Sequence, residues 1–326
     1  ETASTPPPTD ADRSDTLPLQ VALLPAPGPP DASRRDVSEA RPTAASDLTR
    51  AAEARATAMD KDGGLFLRTV AERLSKAPLP NAADLPPLRH RGSVDAAAHP
   101  ALPLPVHAGR ASLGWITRSV LVDRTRPAAN AVRTEEILNH FALRPAGAAG
   151  VAQGVTLSTE SISCPWKPSA TLLLVSLRGA NDIAREVTAS FHANAARVRS
   201  YRLLGFAPVS GLKPGPLPTR LPPRTITSLV IEIEPITATG DLGVIQWSVN
   251  GRKAASVSVA RHDATEPSDD ARFAALVCTY AQWLVRDSSG MIDTDLLAAL
   301  ARECSAETLP AERVDFLNLI DRSLGL

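Results

Sequence analysis

Two carboxylates with a spacing that could support hydrolysis lie on one predicted strand. Glu232 and Glu234 alternate with the apolar residues Leu229, Ile231 and Ile233, so both carboxylates point to the same face. Strand geometry places residues i and i+2 roughly 7 Å apart, and two carboxylates near that separation can cleave glycosidic bonds. An outward polar face of the strand explains the same pattern more simply, so a hydrolase built on this pair is the weaker hypothesis.

The other residue types that carry enzymatic chemistry lack the spacing that the chemistry needs. The chain has neither a Gly-x-Ser-x-Gly nucleophile motif nor a phosphate-binding loop. Its six histidines are scattered, and Cys164, Cys278 and Cys304 do not have the spacing of a zinc site. Glu135 and Glu136 fall in the first turn of a predicted helix, where the dipole favours negative charge. We therefore predict no catalytic residue, no cofactor and no metal site.

Two stretches are candidates for contact with a partner. The first lies in a proline-rich N-terminal region, where apolar residues suit one face of an added strand; they are Leu17, Leu19, Val21, Leu23 and Leu24. The second is Trp166, in an irregular segment between two predicted strands. Trp166 either fills the end of a β-sandwich or is exposed for contact with a partner or a sugar.

The composition argues against several classes of partner. The 35 basic residues equal the 35 acidic ones, so no net field attracts nucleic acid or an anionic membrane. Aromatic residues are only 4% of the chain, which argues against stacking surfaces for bases. No apolar run approaches the roughly 20 residues of a membrane helix. The three cysteines leave open either one disulfide with a free thiol or no disulfide.

The distribution of proline and of apolar residues divides the chain into five parts. Proline-rich stretches favour extended backbone and cannot build a core, whereas helical and strand periodicities mark the packed parts. The predicted parts are an extended arm (1–45), a helical hairpin (46–76), a proline-rich linker (77–103), a β-sandwich-like core (104–265) and a C-terminal helical subdomain (266–326). The predicted fold class is α+β, with an antiparallel β-sandwich-like core, short helices, a C-terminal helical bundle and the arm.

Local patterns within the core predict individual elements. Residues 172–175 are apolar on both faces, as expected of a covered central strand. A short helix is predicted from about Ala131 to Phe141. Asn250-Gly251 predicts a tight hairpin, but strict two-residue pairing puts Trp247 and Val257 on opposite faces. A β-bulge, or burial of both faces, would resolve this conflict.

Four segments in order resemble one family of bacterial envelope proteins. They are Val132–Phe141 (VRTEEILNHF), Cys164–Trp166 (CPW), Arg185–Phe206 and Asp270–Ser288. These segments resemble the YfbK-type von Willebrand factor A family. The resemblance covers roughly residues 104–326 and implies an envelope protein built around a von Willebrand A domain.

The chain departs from this family at one place. The family carries its von Willebrand A domain between the strands that correspond here to residues 172–177 and to the strand beginning near Val187. Only nine residues, Arg178–Glu186, join those strands in this chain, which is too short for a doubly wound domain. The Asp-x-Ser-x-Ser metal signature of that domain is also absent. The resemblance therefore implies a scaffold from which the ligand domain and its Mg²⁺ site have been deleted, with the two flanking strands close together in a single sandwich.

These observations predict a structural protein that is not an enzyme. We expect a scaffold subunit that binds the periplasmic face of a larger envelope or membrane complex, such as a photosynthetic or respiratory one, through its arm and core surfaces. Its partners are expected to be protein subunits, with no nucleic acid and no transmembrane segment of its own. The start at Glu1 rather than Met is expected of an exported protein that has lost a signal peptide or lipid anchor, or of a trimmed chain. The alternative is a cell-surface carbohydrate- or peptide-binding module that uses Trp166.

Overall fold

The computed structural model describes residues 88, 92–106, 109–206, 219–237, 240–261, 266–286, 291–304 and 309–326. The predicted arm (1–45) and helical hairpin (46–76) lie outside the described residues, as does most of the predicted linker. The five apolar arm residues proposed for partner contact therefore remain predictions.

The described core consists of two antiparallel sheets packed face to face. Sheet 1 contains β1 (Val94–Asp95), β3 (Ala149–Ala152), β4 (Val155–Ser163), β5 (Thr171–Arg178), β7 (Val198–Leu204) and β9 (Ile226–Pro235). Its strand order is β1-β7-β9-β5-β4-β3. Sheet 2 contains β2 (Ala101–Leu104), β6 (Arg185–Ala193), β8 (Thr219–Leu221), β10 (Gly240–Val249) and β11 (Arg252–Arg261). Its order is β11-β10-β6-β2, with β8 also paired to β6. The predicted antiparallel sandwich is confirmed.

Strand β5 is central because its side chains are apolar on both faces. Leu173, Val175 and Leu177 point into the sandwich interior. Leu172 and Leu174 point the other way and pack against helices. Sheet 1 is thus covered on both faces, as the apolar run at residues 172–175 predicted.

The helices cover the outer face of sheet 1. They are α1 (Ser112–Leu121), α2 (Thr134–Leu138), α3 (Asp269–Val285), α4 (Thr294–Glu303) and α5 (Ala311–Leu324), with a 3-10 turn at Ala129–Ala131. Edge-to-face aromatic contacts join them, with ring centroids 4.8 Å apart for Phe141 and Phe273 and 5.4 Å apart for Tyr280 and Phe316. Among the described residues, no helix has both the length and the apolar character needed to span a membrane.

The helix predicted from Ala131 to Phe141 is shorter than expected. Only Thr134–Leu138 is α-helical, because Val132 and Arg133 have extended backbone between the 3-10 turn and the helix. Its apolar residues Ile137 and Leu138 are nevertheless buried, as predicted.

The β10–β11 hairpin resolves the conflict at its turn through a bulge. Asn250 and Gly251 have positive φ angles of 52° and 71°, as a type I′ turn requires. The register shifts between Trp247 and Ser248, so Trp247 pairs with Ala255 and Ile245 pairs with Val257. The bulge places Trp247 and Val257 on the same interior face, which confirms one of the two predicted solutions.

The short segment between β5 and β6 crosses from one sheet to the other. Strand β5 ends at Arg178 in sheet 1, and β6 begins at Arg185 in sheet 2. We call residues 179–184 the joint. The two strands flanking the joint therefore belong to one sandwich, as the short connection predicted.

Strand β1 and all but the last residue of β2 lie within the range predicted as linker, 77–103. Strand β2 pairs with β6 and contains Pro103, which is tolerated because β2 is an edge strand. The prolines around these strands obscured them in the sequence. The sheets therefore begin ten residues before the predicted start of the core, while the division into domains remains a prediction.

Candidate functional site

The residues singled out for chemistry meet where sheet 1 contacts the helices. We call this region the helix–sheet junction; it contains α1, α2, α3, the end of β4 with the turn after it, and the outer face of β7 and β9. Its polar side chains come from segments far apart in the sequence. Their partners determine what the junction can do.

A buried group of side chains around the Glu232 carboxylate, which we call the Glu232 cluster, occupies the middle of the junction. Arg202 donates to Glu232 Oε2 from Nε at 2.9 Å and from Nη2 at 2.7 Å. Trp166 Nε1 donates to the same oxygen at 3.2 Å, and Arg202 Nη2 also donates to Gln282 Oε1 at 2.8 Å. Glu232 is only 9% exposed, so this ion pair is shielded from solvent and joins β7, β9, the turn after β4 and α3.

Trp166 is an interior residue. The turn that carries it is closed by hydrogen bonds from Cys164 N to Ala170 O at 3.0 Å and from Ala170 N to Lys167 O at 2.8 Å. Its side chain is 3% exposed and belongs to the core between sheet 1 and the helices. The structure therefore places Trp166 in the interior, the first of its two expected positions, where the indole is not exposed for contact with a partner or a sugar. The carbohydrate-binding alternative loses the residue on which it rested.

The second carboxylate of the candidate hydrolase pair is held by cations. Glu234 accepts from Lys167 Nζ at 3.2 Å, from Ser200 Oγ at 3.1 Å and from Arg199 Nη1 at 3.5 Å. The hydrogen bond from Lys167 lowers the pKa of Glu234, whereas a general acid needs a raised pKa. Glu232 is already engaged by Arg202 and Trp166. The geometry therefore favours a structural role for both carboxylates over glycoside hydrolysis.

Glu136 caps a helix other than its own. Its Oε2 accepts hydrogen bonds from Ala111 N at 3.0 Å, Ser112 N at 2.9 Å and Ser112 Oγ at 3.0 Å. These groups form the N-terminus of α1, where unpaired N–H groups and the dipole favour a carboxylate. Ser112 Oγ in turn accepts from Arg133 N at 3.1 Å. Glu136 therefore ties α1 to α2.

Glu135, beside it in sequence, points into the protein. Burial raises the pKa of Glu135, and the backbone N–H of Phe206 opposes this shift by donating to the carboxylate. Gly205 has a φ of 79°, and a Cβ added there would lie 2.4 Å from Glu135 Oε2. Glycine at this turn therefore allows the end of β7 to lie directly against α2.

Asn139 extends the hydrogen bonding of sheet 1 with a side chain. Its Nδ2 donates to Ser228 O and its Oδ1 accepts from Ser228 N, both at 2.7 Å. Pairing between β7 and β9 ends at Leu204 and Val230, and Ser228 lies two residues earlier on β9. Asn139 thus bonds to Ser228 where the second residue after Leu204 would pair if β7 continued, and it locks α2 onto β9.

The start of α3 is held by carboxylates in the same way. Ser268 caps α3 by accepting from Ala271 N, and Asp269 and Asp270 lie in its first turn. Glu160 of β4 accepts from Ser268 N at 2.7 Å and from Ala146 N at 2.8 Å. Asp270 accepts from Arg144 N at 2.6 Å and pairs with Arg313 of α5. These bonds attach α3 to both the sheet and α5.

The three thiols are free and buried. Burial raises the pKa of Cys164 to about 12, with a further contribution from Glu232, and raises that of Cys304 to about 12. Burial raises the pKa of Cys278 as well. Neutral thiols are poor nucleophiles and metal ligands. Within the described parts of the chain, no three or more His, Cys, Asp or Glu side chains lie close enough together to bind a metal ion.

A cleft of about 490 Å³ lies beside the junction, between the end of β4 and helices α3 and α4. Its ionisable lining groups are Arg272, Glu303 and Cys304, and Arg272 pairs with Asp269. The cleft does not include Glu232, Glu234 or Trp166. The residues that sequence analysis proposed for chemistry therefore lie outside it.

One comparison with known proteins gives a match. A family model described as von Willebrand factor matches residues 88–174. The matched segment contains α1, α2 and the turn at Trp166, and it ends within β5, before the joint. No curated protein is significantly similar to the chain. The match supports a relation to the von Willebrand factor A family and a role as a protein-interaction module.

Proposed function

We propose that this protein is a non-catalytic scaffold subunit of a larger assembly in the cell envelope. The assembly would be a membrane complex, such as a photosynthetic or respiratory one, bound on its periplasmic face. The partners would be protein subunits of that complex. The observation that carries the proposal is the way the polar side chains of the helix–sheet junction are used.

These side chains hold elements of the fold together. Glu136 joins α1 to α2, Asn139 joins α2 to β9, and the Glu232 cluster joins β7 and β9 to α3. A fully bonded buried network rigidifies the fold, and a rigid platform suits a scaffold better than a catalyst. The match to the von Willebrand factor family supports the same choice, because it indicates protein interaction.

The proposal extends to the evolutionary origin of the chain. We regard it as a YfbK-type relative in which the von Willebrand A domain is missing between β5 and β6. The joint of residues 179–184 stands where that domain would be inserted. Loss of the domain would remove the ligand and Mg²⁺ site of the family, so function would depend on the remaining surfaces.

The N-terminal arm is the first of these surfaces. Its residues Leu17, Leu19, Val21, Leu23 and Leu24 alternate in part, which suits addition of a strand to a partner's sheet. An extended segment that orders on binding can cover a large area at an entropic cost. An exported, periplasmic location is part of the same proposal.

Co-purification tests the proposed function. The full chain, carrying a C-terminal affinity tag, would be isolated from its own cells in mild detergent and separated by native electrophoresis. We expect it to migrate with a membrane complex far above its mass of 34.4 kDa. A matched chain lacking residues 1–45 should lose most of this association.

Two results would contradict the proposal. One is migration of the full chain alone under all mild extraction conditions. The other is its recovery in the cytoplasmic fraction, tested by whether externally added protease reaches the tag after the outer layers of the envelope are opened.

A further inference from the structure

Several turns of the sandwich converge at the end where the joint lies. The joint contacts the turn between β8 and β9 through hydrogen bonds from Gly179 N to Thr225 O at 2.8 Å and from Arg224 N to Ala180 O at 2.9 Å. The β10–β11 turn is bound to the start of β6 through Asn250 N and Glu186 O at 2.8 Å. These bonds give this end of the molecule a defined shape.

This end carries a concentration of arginines. We call it the arginine end and define its basic residues as Arg178, Arg185, Arg220, Arg224 and Arg252. They lie at the end of β5, the start of β6, on β8, in the β8–β9 turn and at the start of β11. The described carboxylates on the same segments are Asp182 and Glu186. Five arginines against two carboxylates give a local charge of +3, on a chain whose total charge is zero.

Most of these guanidinium groups have no carboxylate within ion-pair distance. Arg185 pairs with Asp182 at 3.1 Å. Within the described ranges, no ion pair or side-chain hydrogen bond involves Arg178, Arg220, Arg224 or Arg252, and all four are exposed. Glu186 is the cross-strand neighbour of Arg220 without forming an ion pair with it. Four arginines are thus available to bind an anionic group.

Two exposed apolar side chains lie among the arginines. Ile183 in the joint is 56% exposed, and Val151 on β3 is 68% exposed. Val151, Thr156 and Arg178 are successive partners across β3, β4 and β5, so Val151 and Arg178 are on one face, roughly 10 Å apart. Apolar side chains surrounded by arginines are typical of protein-binding surfaces, where arginine is enriched.

We infer that the arginine end is a docking surface for an acidic segment of a partner protein. This inference rests on the proposed scaffold function and identifies the chemistry of the partner. Arginine presents a planar fork that binds a carboxylate through two parallel hydrogen bonds. A peptide rich in Asp and Glu with an apolar residue would match both the charges and the exposed Ile183.

The charge of the C-terminal helices favours the same orientation. The described C-terminal region, 266–286, 291–304 and 309–326, carries nine carboxylates and five arginines, a net charge of −4. An acidic partner is therefore repelled by the C-terminal helices α3, α4 and α5 and attracted to the arginine end. A membrane surface is a poorer fit, since interfacial binding relies on a broad apolar face and the described residues of this end offer two large exposed apolar side chains.

Charge neutralisation at matched positions tests the inference. The test variant is Arg178→Gln/Arg220→Gln/Arg224→Gln, and the control variant is Arg124→Gln/Arg302→Gln/Arg322→Gln. Both sets are exposed, and Arg124 and Arg224 both have positive φ angles, of 53° and 59°. Binding of a fluorescently labelled polyglutamate peptide of about 20 residues would be followed by anisotropy at low and high salt. Both variants should melt within about 2 °C of the wild type, since surface substitutions change stability little.

We expect the test variant to bind polyglutamate at least about tenfold more weakly than wild type at low salt, and the control to stay within about twofold. Equal binding by the test variant and the wild type would overturn the inference. So would stronger binding to vesicles containing phosphatidylglycerol than to polyglutamate, or a salt-sensitive dimer that the test variant abolishes.

The co-purification assay separates the two proposals. If the wild type recovers a complex and the test variant recovers it equally, only the docking surface is wrong; if the wild type recovers nothing, the scaffold function is wrong.

Discussion

Replacing Asn139 by alanine tests whether the helix–sheet junction holds α2 to sheet 1. The Asn139 side chain satisfies both backbone groups of Ser228 where β7 no longer pairs with β9. Ser228 is fully buried, at 0% exposure, so water cannot replace the lost partner. The carbonyl of Glu135, which Nδ2 also contacts at 2.8 Å, keeps its helical bond from Asn139 N at 3.1 Å.

The expected loss of stability follows from the two unpaired groups. Leaving one buried N–H or C=O without a partner costs about 1–3 kcal/mol, which gives about 2–6 kcal/mol for both. We take about 4 kcal/mol as the central expectation. For a folded unit of 150–250 residues, each kcal/mol lowers Tm by about 2–4 °C, so the melting temperature should fall by about 8–16 °C.

Urea unfolding followed by far-UV circular dichroism measures this loss directly. The matched control is Asn181→Ala, which truncates an exposed asparagine in the joint and should change the free energy of unfolding by less than about 0.5 kcal/mol. A loss below about 1 kcal/mol for Asn139→Ala, or an equal loss for both variants, would refute the reasoning.

Three further substitutions probe the junction. Glu136→Ala should destabilise the protein by about 1–2 kcal/mol in urea unfolding, because α1 loses the carboxylate that caps it. Burial raises the pKa of Glu135 in the folded protein. The stability that its protonated carboxyl contributes is therefore complete at pH values below the pKa of this group in the unfolded chain, and it is lost as the pH rises through the pKa in the folded protein. The stability of Glu135→Gln relative to wild type should therefore increase as pH rises above the ordinary range of a glutamate. Arg202→Ala should cost about 3–5 kcal/mol in thermal unfolding, since it leaves Glu232 buried without its cation. The control Arg199→Ala removes a side chain that is 67% exposed and should cost less than about 1 kcal/mol.

Each of these expectations has a result that contradicts it. An unchanged stability of Glu136→Ala would mean that the cap contributes nothing. If the stability of Glu135→Gln relative to wild type fell as the pH rose, the conclusion that burial raises the pKa of Glu135 would be wrong. Equal effects of Arg202→Ala and Arg199→Ala would show that solvent screens the Glu232 pair as fully as a surface pair.

The structure separates two uses of charge in this molecule. At the helix–sheet junction, carboxylates of α2, β4 and β9 are bonded to backbone N–H groups or to arginine, and they fix how the helices lie on sheet 1. At the arginine end, four of the five guanidinium groups are exposed and form no ion pair with a described carboxylate. The first arrangement accounts for stability, and the second leaves a surface for a partner.

Local patterns in the sequence were sufficient to predict several of the strands and the faces to which their side chains point. The alternation around Glu232 and the apolar run at residues 172–175 specified which side chains point inward, because side-chain direction in a strand depends only on position along it. Asn250-Gly251 likewise marked a hairpin turn, since a positive φ is a property of a few adjacent residues.

The partners of the polar side chains were decided by the tertiary structure alone. The sequence pattern placed Glu136 at the start of its own helix, yet its carboxylate caps α1, 24 residues away. Trp166 could be read as exposed or buried until the helices covered it, and the arginine end forms only when β5, β6, β8 and β11 meet at one end of the sandwich. Such contacts depend on which distant segments pack together, and the local periodicity of the sequence does not specify this.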